Sequence, residues 1–273
     1  MIYQLAVFGN PIAHSRSPEI HKKFAEQHCL EVSYERILVP INQFTTCASN
    51  FFERGGTGFN VTAPCKHDAF RFSVECSRAA ELAQSVNTIS RREGVIYGDN
   101  TDGVGLRQDI IVNLGWKIEG KKILMLGAGG AASGVVGDLL ASNPSSLHIF
   151  NRTPANAQAI AKLHVDYRLK AITTLDTSYD IIINATSAAS NEKTLDLPAS
   201  ILTDESCCYD LTYGRKADQT PFLIWSKGLG VTSVADGLGM LVEQAARAFE
   251  IWFGETVSTA PVIESIRRND ALS

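Results

Sequence analysis

Lys66 and Asp102 are the two side chains of this sequence best suited to moving a proton. A lysine ammonium held by a carboxylate can donate a proton to a forming alkoxide and can stabilise the oxyanion. Reduction of a ketone needs both. The carboxylate raises the lysine pKa and burial lowers it. Five further polar residues fall at the ends of predicted strands in the same region: Ser15, Ser17, Asn60, Thr62 and Asn87. Taken singly, each has an ordinary structural reading. The serines can cap helices, the asparagines can turn the chain, and Lys66 can be a solvated lysine. Asp102 can be a helix-start acid held by the dipole. Their joint placement on one side of one α/β unit points to a site, because ligands in open α/β sheets bind beyond the strand ends. His14 and His67 compete for the acid–base role, but His67 adjoins Lys66, and side chains one apart diverge. His21 and His28 lie seven apart on a predicted helix and are expected at the surface. Cys65 has no evident base to make it a nucleophile.

The elements that must position these residues are legible from periodicity. Tyr3–Phe8, Val32–Val39 and Gly58–Val61 read as strands. Helices are expected from Ser17, as N-cap, to about Leu30, over Ile41–Phe52, from Asp68, and over Ser77–Gln84. Ser85–Ile89 and Gly94–Tyr97 form a predicted hairpin, and a helix is expected to run on to Leu114. After it comes the stretch KKILMLGAGGAASG, Lys121 to Gly134. Its apolar run Ile123–Leu126 suits a buried parallel strand, and a helix-compatible run follows the glycines. Strand, glycine turn and helix in that order make a dinucleotide site. Gly127 permits the tight turn, Gly129 lets the backbone approach a pyrophosphate, and Ala132 takes the third, small position. A nicotinamide cofactor implies hydride transfer, which matches the chemistry open to Lys66 and Asp102.

The next predicted strand, Leu147–Phe150, ends in Asn151-Arg152-Thr153, where a carboxylate would normally bind an NAD ribose. A guanidinium with neutral hydrogen-bonding neighbours suits a 2′-phosphate and favours NADP. The same turn also reads as a cap for the next helix, with Thr153 before Pro154. Strands are then expected at Asp180–Asn184, Cys207–Leu211 and Val231–Val234. Helices are expected at Pro221–Lys227, Gly237–Phe253 and Pro261–Arg268.

Strands alternate with helices throughout. That pattern predicts an α/β protein with parallel sheets in both halves: an N-terminal α/β substrate domain and a Rossmann-type, doubly wound nucleotide domain. The expected boundaries are 1–102 for the first, completed by helices within 237–273, and 103–236 for the second. At 273 residues, with 45% hydrophobic and 20% charged residues, the chain can bury two cores. A formal charge of −4 gives no electrostatic footprint for nucleic acid. The six cysteines show no C-x-x-C and no zinc spacing, so no metal is expected. No stretch approaches a membrane span, and no signal peptide is recognisable. Reduced thiols and a cytoplasmic location are expected.

Collinear motifs make the reading specific. They are FGNPIAHSRSP (Phe8–Pro18), NVTAPCK (Asn60–Lys66), SVNT (Ser85–Thr88), GDNTDGVG (Gly98–Gly105) and GAGGAA (Gly127–Ala132). NRT (Asn151–Thr153), INATS (183–187), YDLTY (Tyr209–Tyr213) and ADGLGMLVEQA (Ala235–Ala245) follow in order. With them the chain resembles the shikimate dehydrogenase family nearly end to end. The resemblance implies NADPH-dependent, reversible reduction of 3-dehydroshikimate to shikimate in aromatic amino-acid biosynthesis. It implies Lys66 and Asp102 as the catalytic pair, and Ser15 and Ser17 at the substrate carboxylate with Tyr213 nearby. It places Asn60, Thr62, Asn87 and Gln244 at the ring hydroxyls. Cofactor contacts carry over to Gly127, Ala128, Gly129, Gly130 and Ala131, to Asn151, Arg152 and Thr153, and to Leu211 and Gly237. A monomer or homodimer is expected, with a small-molecule substrate and no nucleic-acid or membrane partner.

Three departures from the family's pattern stand out. Cys65 precedes the lysine where Phe is common, and Asn156 stands where a second basic residue often follows the NRT turn. The stretch 187–193 lacks the glycines often seen there. The alternatives are an NAD-using quinate/shikimate dehydrogenase, against which the missing acid after Phe150 argues, and a non-catalytic ligand-binding regulator, against which Lys66 and Asp102 argue.

Overall fold

Two six-stranded sheets carry the chain in a computed structural model that describes residues 2–186, 197–214 and 219–272. The glycine-poor stretch 187–193 lies outside the described residues. The first sheet contains β1 (Tyr3–Gly9), β2 (Val32–Leu38), β3 (Gly58–Val61), β4 (Glu75–Cys76), β5 (Thr88–Arg92) and β6 (Val95–Asp99), in the order β2-β1-β3-β5-β6-β4. It is mixed, not parallel as the alternation of elements predicts. β3 pairs antiparallel with β5, and β5 with β6. The cause is local: Glu93 and Gly94, at φ of 50° and 88°, form the two-residue turn between β5 and β6. A turn of that kind joins antiparallel neighbours only.

Around this sheet lie α1 (Ser17–Gln27), α2 (Phe44–Glu53), α3 (Lys66–Phe72) and α4 (Arg78–Ala83). α2 starts three residues later than the apolar pattern predicts, and Ile41 is exposed. Ser17 does not cap α1. Arg16 occupies the N-cap and Ser17 the first helical position, where its hydroxyl accepts a bond from Ser15 at 3.2 Å. A cluster of Phe8, Phe44, Phe51, Phe52 and Phe59 fills the space between the sheet and α2.

The second sheet is parallel throughout and contains β7 (Lys122–Leu126), β8 (Ser146–Phe150), β9 (Leu169–Ile172), β10 (Ile181–Asn184), β11 (Cys207–Asp210) and β12 (Ser233–Asp236). The order β12-β11-β10-β7-β8-β9 puts the topological switch between β10 and β7, where doubly wound sheets open a crevice for a ligand. β9 has no counterpart in the sequence reading: it is a short run interrupted by Lys170, and its apolar residues split between the two faces, Leu169 and Ala171 on one and Ile172 on the other. α6 (Gly130–Ala141), α7 (Pro154–Leu163) and α8 (Pro221–Gly228) cover this sheet, and its buried strand residues divide between two cores, one on each face.

Two helices connect the halves. α5 (Asp102–Gln108) continues into one wider, π-type turn at Asp109–Asn113, capped by Leu114, so the helix reaches the expected end with its last turn widened. α9 (Leu238–Phe253) packs on α5, and α10 (Ala260–Leu272) follows it. Val242, Ala245 and Phe249 of α9, with Val262 and Ile266 of α10, cover Ile20 and Phe24 of α1. That packing overturns the surface placement of His21, which is fully buried on the covered face of α1. His28, two turns beyond, is half-buried and bonds the Thr256 carbonyl at 2.9 Å.

Candidate active site

The catalytic candidates meet at one edge of the first sheet. Asn60 lies in β3, with Thr62 in the loop beyond it and Lys66 at the first position of α3. Asn87 immediately precedes β5. Because β5 runs antiparallel to β3, its start lies at the same edge as the end of β3. The chain leaves β6 at that edge and enters α5 with Asp102. Ser15 and Ser17 approach from the loop after β1.

Lys66 Nζ bonds Asp102 Oδ2 directly, with the two side chains 17% and 8% exposed. The other carboxylate oxygen accepts from Asn87 Nδ2 at 2.7 Å, and the Asp102 backbone N–H donates to Asn100 Oδ1 at 3.1 Å. Asn87 is itself fixed, since its Oδ1 accepts from the Thr101 N–H at 2.8 Å and from the Thr88 hydroxyl at 3.0 Å. Gln244, from α9, accepts at its Oε1 from Asn87 Nδ2 and the Thr101 hydroxyl, both at 3.2 Å. The pair is therefore wired to the polar residues around it in a low-dielectric pocket, where such bonds are strong.

A cleft of about 350 Å³ opens over this pair. Its first-sheet wall holds Ser15, Ser17, Asn60, Thr62, Lys66, Asn87 and Asp102, and exposed His14 also borders it. The facing wall brings Ala131 from the start of α6, Leu211 and Tyr213 from the segment after β11, and Gly237 and Gln244 from around α9. Burial pushes the Tyr213 hydroxyl above its usual range, and nearby Arg16 opposes that. Cys65 is buried behind Lys66, and its thiol is pushed up to about 11 by burial, then by Asp68 and Cys47. At neutral pH that keeps it protonated and unreactive. His67 turns away and bonds the Gln84 carbonyl at 2.7 Å.

The remaining candidates lie next to the cleft. Gly127 sits at φ 102°, and a Cβ there would press on the backbone of Ala185 at 3.0 Å. The turn thus needs glycine. At Gly129 and Gly130 a Cβ would meet nothing within 4 Å among the described residues, so neither adds a side chain in front of the first turn of α6. Ala132 is fully buried against the sheet. The Gly127 N–H donates to the Phe150 carbonyl at 2.8 Å, which sets the glycine turn beside Asn151-Arg152-Thr153. Arg152 is exposed and forms no ion pair among the described residues. Thr153 is the N-cap of α7 by position, but its hydroxyl makes no cap bond. An open helix start beside an uncommitted guanidinium fits a dinucleotide carrying a 2′-phosphate.

Four residues that sequence reasoning does not single out prove central: Thr88, Thr101, His21 and Tyr34. Thr88 and Thr101 stand inside SVNT and GDNTDGVG, beside residues that it does. Tyr34 carries no local signal at all.

A Rossmann-type sheet facing a Lys–Asp pair across one cleft defines a nicotinamide-dependent oxidoreductase. Family models described as the shikimate dehydrogenase substrate binding domain, the shikimate/quinate 5-dehydrogenase and the shikimate 5′-dehydrogenase C-terminal domain match residues 7–89, 110–197 and 237–267. A shikimate dehydrogenase (NADP(+)) of Chromobacterium violaceum is 44% identical over 271 residues, covering 98% of each chain. A crystal structure of an Ael1 enzyme from Pseudomonas putida superposes with a TM-score of 0.91 at 38% identity, covering 97% of this chain and 98% of that one. Shikimate 5-dehydrogenase from Thermus thermophilus, in complex with NADP(H) and shikimate, superposes at 0.86 with 31% identity, covering 97% and 99%. The chain belongs to the NADP-dependent shikimate dehydrogenase family.

Proposed function

We propose that the protein catalyses the reversible, NADP-dependent interconversion of 3-dehydroshikimate and shikimate, with Lys66 and Asp102 as its catalytic pair. The observation that carries this reading is the direct contact of the two side chains inside the cleft that α6 borders. NADPH, when bound, supplies the hydride to the ketone carbon. Lys66 Nζ supplies the proton to the ketone oxygen, so the C=O bond becomes C–OH, and Nζ regains a proton from solvent. Asp102 holds the ammonium in place while Asn87 Nδ2 holds Asp102. In the oxidising direction neutral Lys66 takes the hydroxyl proton instead.

Ser15 and Ser17 would donate to the substrate carboxylate, with Tyr213, which lines the same cleft, near it. Asn60, Thr62, Asn87 and Gln244 line the region for the ring hydroxyls. Gly127, Ala128, Gly129, Gly130 and Ala131 would hold the pyrophosphate. Asn151, Arg152 and Thr153 would hold the adenosine 2′-phosphate, and Leu211 and Gly237 would border the nicotinamide. In this reading residues 1–102, with 237–273, form the substrate domain, and 103–236 the nucleotide domain. The assembly in this reading is a monomer or a homodimer. The six free cysteines support a cytosolic location. Among the described residues no helix is long and apolar enough to cross a membrane.

The test is a spectrophotometric assay at about 340 nm, the absorbance band of reduced nicotinamide, with shikimate and quinate each offered with NADP and NAD. Turnover of shikimate with NADP, at a higher kcat/KM than with NAD, is expected. Absence of shikimate oxidation, or a clear preference for NAD, overturns the proposal.

A further inference from the structure

His21 is a polar side chain in an apolar place. It is fully buried on α1, between Ile20 and Phe24, and its ring stacks on Tyr34 at 4.8 Å and 11° and lies against Trp252 at 5.1 Å. A phenyl ring would fill that slot without any desolvation of nitrogen. What the imidazole adds is one bond: Nε2 lies 3.1 Å from Asn60 Oδ1. An amide oxygen only accepts, so Nε2 carries the proton. Nδ1 is then a bare lone pair, and it has no hydrogen-bond partner among the described residues. Burial pushes the imidazole pKa down to about 3, against the bond to Asn60, so the ring is neutral at any working pH.

The Tyr34 hydroxyl donates to the same oxygen at 2.7 Å, beside Ser17. Two donors on Oδ1 allow one orientation of the Asn60 amide. Its Nδ2 then donates to the Asn87 carbonyl at 3.3 Å and to the Thr88 hydroxyl at 3.2 Å. Thr88, with its oxygen accepting, donates its own proton to Asn87 Oδ1 at 3.0 Å. Asn87 must therefore present Nδ2, not oxygen, to Asp102. The Asn87 carbonyl, which only accepts, and the Thr101 N–H, which only donates, set the same direction, so His21 and Tyr34 reinforce an orientation that the backbone also favours.

We propose that His21, together with Tyr34, is a positioning residue of the substrate cleft: their two donors hold the amide oxygen of Asn60, and so hold that side chain at its place in the cleft wall beside Asn87 and Thr88. The inference rests on the function proposed above, since it assigns the chain a role in binding and reducing that substrate.

The experiment compares steady-state constants of wild type, His21→Phe, His21→Gln and Phe24→Leu with shikimate and NADP. His21→Phe keeps the stacked ring and removes the donor. It should raise the KM for shikimate by about tenfold, the size of one lost buried hydrogen bond, with the KM for NADP unchanged. His21→Gln restores a donor at the Nε2 position and should return the shikimate KM to within about twofold of wild type. Phe24→Leu disturbs the same core against the His21 ring. It should lower the melting temperature without moving either KM. A smaller folded fraction lowers apparent kcat but leaves KM alone, so the shikimate KM separates positioning from stability. A shikimate KM in His21→Phe within twofold of wild type overturns the inference, as does an equal rise in Phe24→Leu or in His21→Gln. Wild type without shikimate turnover overturns the parent reading and this one with it.

Discussion

An alkoxide formed by hydride transfer is a far stronger base than a lysine amine, so an ammonium already in contact with a carboxylate gives up its proton only when the reaction makes a taker for it. Lys66 is set for that exchange, because Asp102 on one side and the open cleft on the other leave its proton a single useful destination. Lys66→Ala should therefore cut kcat by at least about a hundredfold, the usual size of lost acid–base assistance. The shikimate KM should move far less, because Asn87 still holds Asp102. Full turnover by the alanine variant would remove Lys66 from the chemistry. Arg152 carries a different expectation. Its guanidinium is exposed and uncommitted among the described residues, so its truncation should leave the fold intact. Arg152→Ala should raise the KM for NADPH by about tenfold, the worth of a charge-assisted bond discounted for exposure, and leave that for NADH unchanged. A parallel rise for both cofactors would place the arginine somewhere other than the 2′-phosphate.

The element on which the site turns is the crossing of α5 with α9. At Gly105 a Cβ would lie 2.7 Å from the Gln244 backbone nitrogen and 2.9 Å from the Met240 carbonyl oxygen. Backbone on both sides cannot yield as a side chain can, so Gly105→Ala must push the helices apart at about 1–3 kcal/mol. Asp102 sits one turn before Gly105, and Gln244 is at the contact itself. Catalysis should fall with stability. Gly137 in α6 offers the contrast, since its Cβ would meet His164 at an ordinary 3.6 Å. Gly137→Ala should leave turnover unchanged and stabilise by up to about 1 kcal/mol, the helix propensity difference. Thermal melts and kcat on both variants decide it; a Gly105→Ala protein as stable and active as wild type would mean that the crossing does not hold the site.

The same scale explains what the sequence can and cannot reveal. Lys66, Asp102, Ser15 and the glycine turn are legible because each sits in a short run whose spacing carries its meaning. The hairpin of β5 and β6 is legible for the same reason. The alternation of strands and helices hides the mixed pairing of the first sheet, although that hairpin requires antiparallel neighbours. His21 is misplaced by its sequence because its burial is decided by Phe249 and Trp252, more than two hundred residues away, and no period along α1 encodes them. Tyr34 stays invisible because its partner Asn60 comes from another strand.

At the scale of the whole molecule, α9 and α10 bind the two halves into one stability. Met240 packs in the core of the second sheet, while Val242 and Phe249 of the same helix pack on α1. Arg267 of α10 forks onto buried Asp236 at the end of β12, and Asp270 meets Arg16, which stands between Ser15 and Ser17 in the chain. Loss of the α1–α9 core should therefore be felt by the whole chain, which makes His21 a probe of global stability against pH. Its pKa is about 6.5 unfolded and about 3 folded, lowered chiefly by burial. The unfolded state binds the proton first as pH falls. The stability tied to neutral His21 is thus fully present above about pH 6.5 and is lost as pH falls toward the folded value. Between those limits the loss approaches about 1.4 kcal/mol per pH unit. Burial lowers His148 and His164 as well, so they act in the same direction. Buried Asp109 and Asp210 and half-buried Asp138 are raised from 3.8, mainly by desolvation, and act in the opposite one: their contribution is present below that value and is lost as pH rises through the folded pKa. Subtracting His21→Phe from wild type cancels all of these. Urea unfolding at about pH 7, 6 and 5 should show wild type losing stability more steeply than the variant below about pH 6.5, with the difference growing toward about 1.4 kcal/mol per unit. Parallel curves would mean that the imidazole is not held neutral by the core, and the burial of His21 would have to be abandoned.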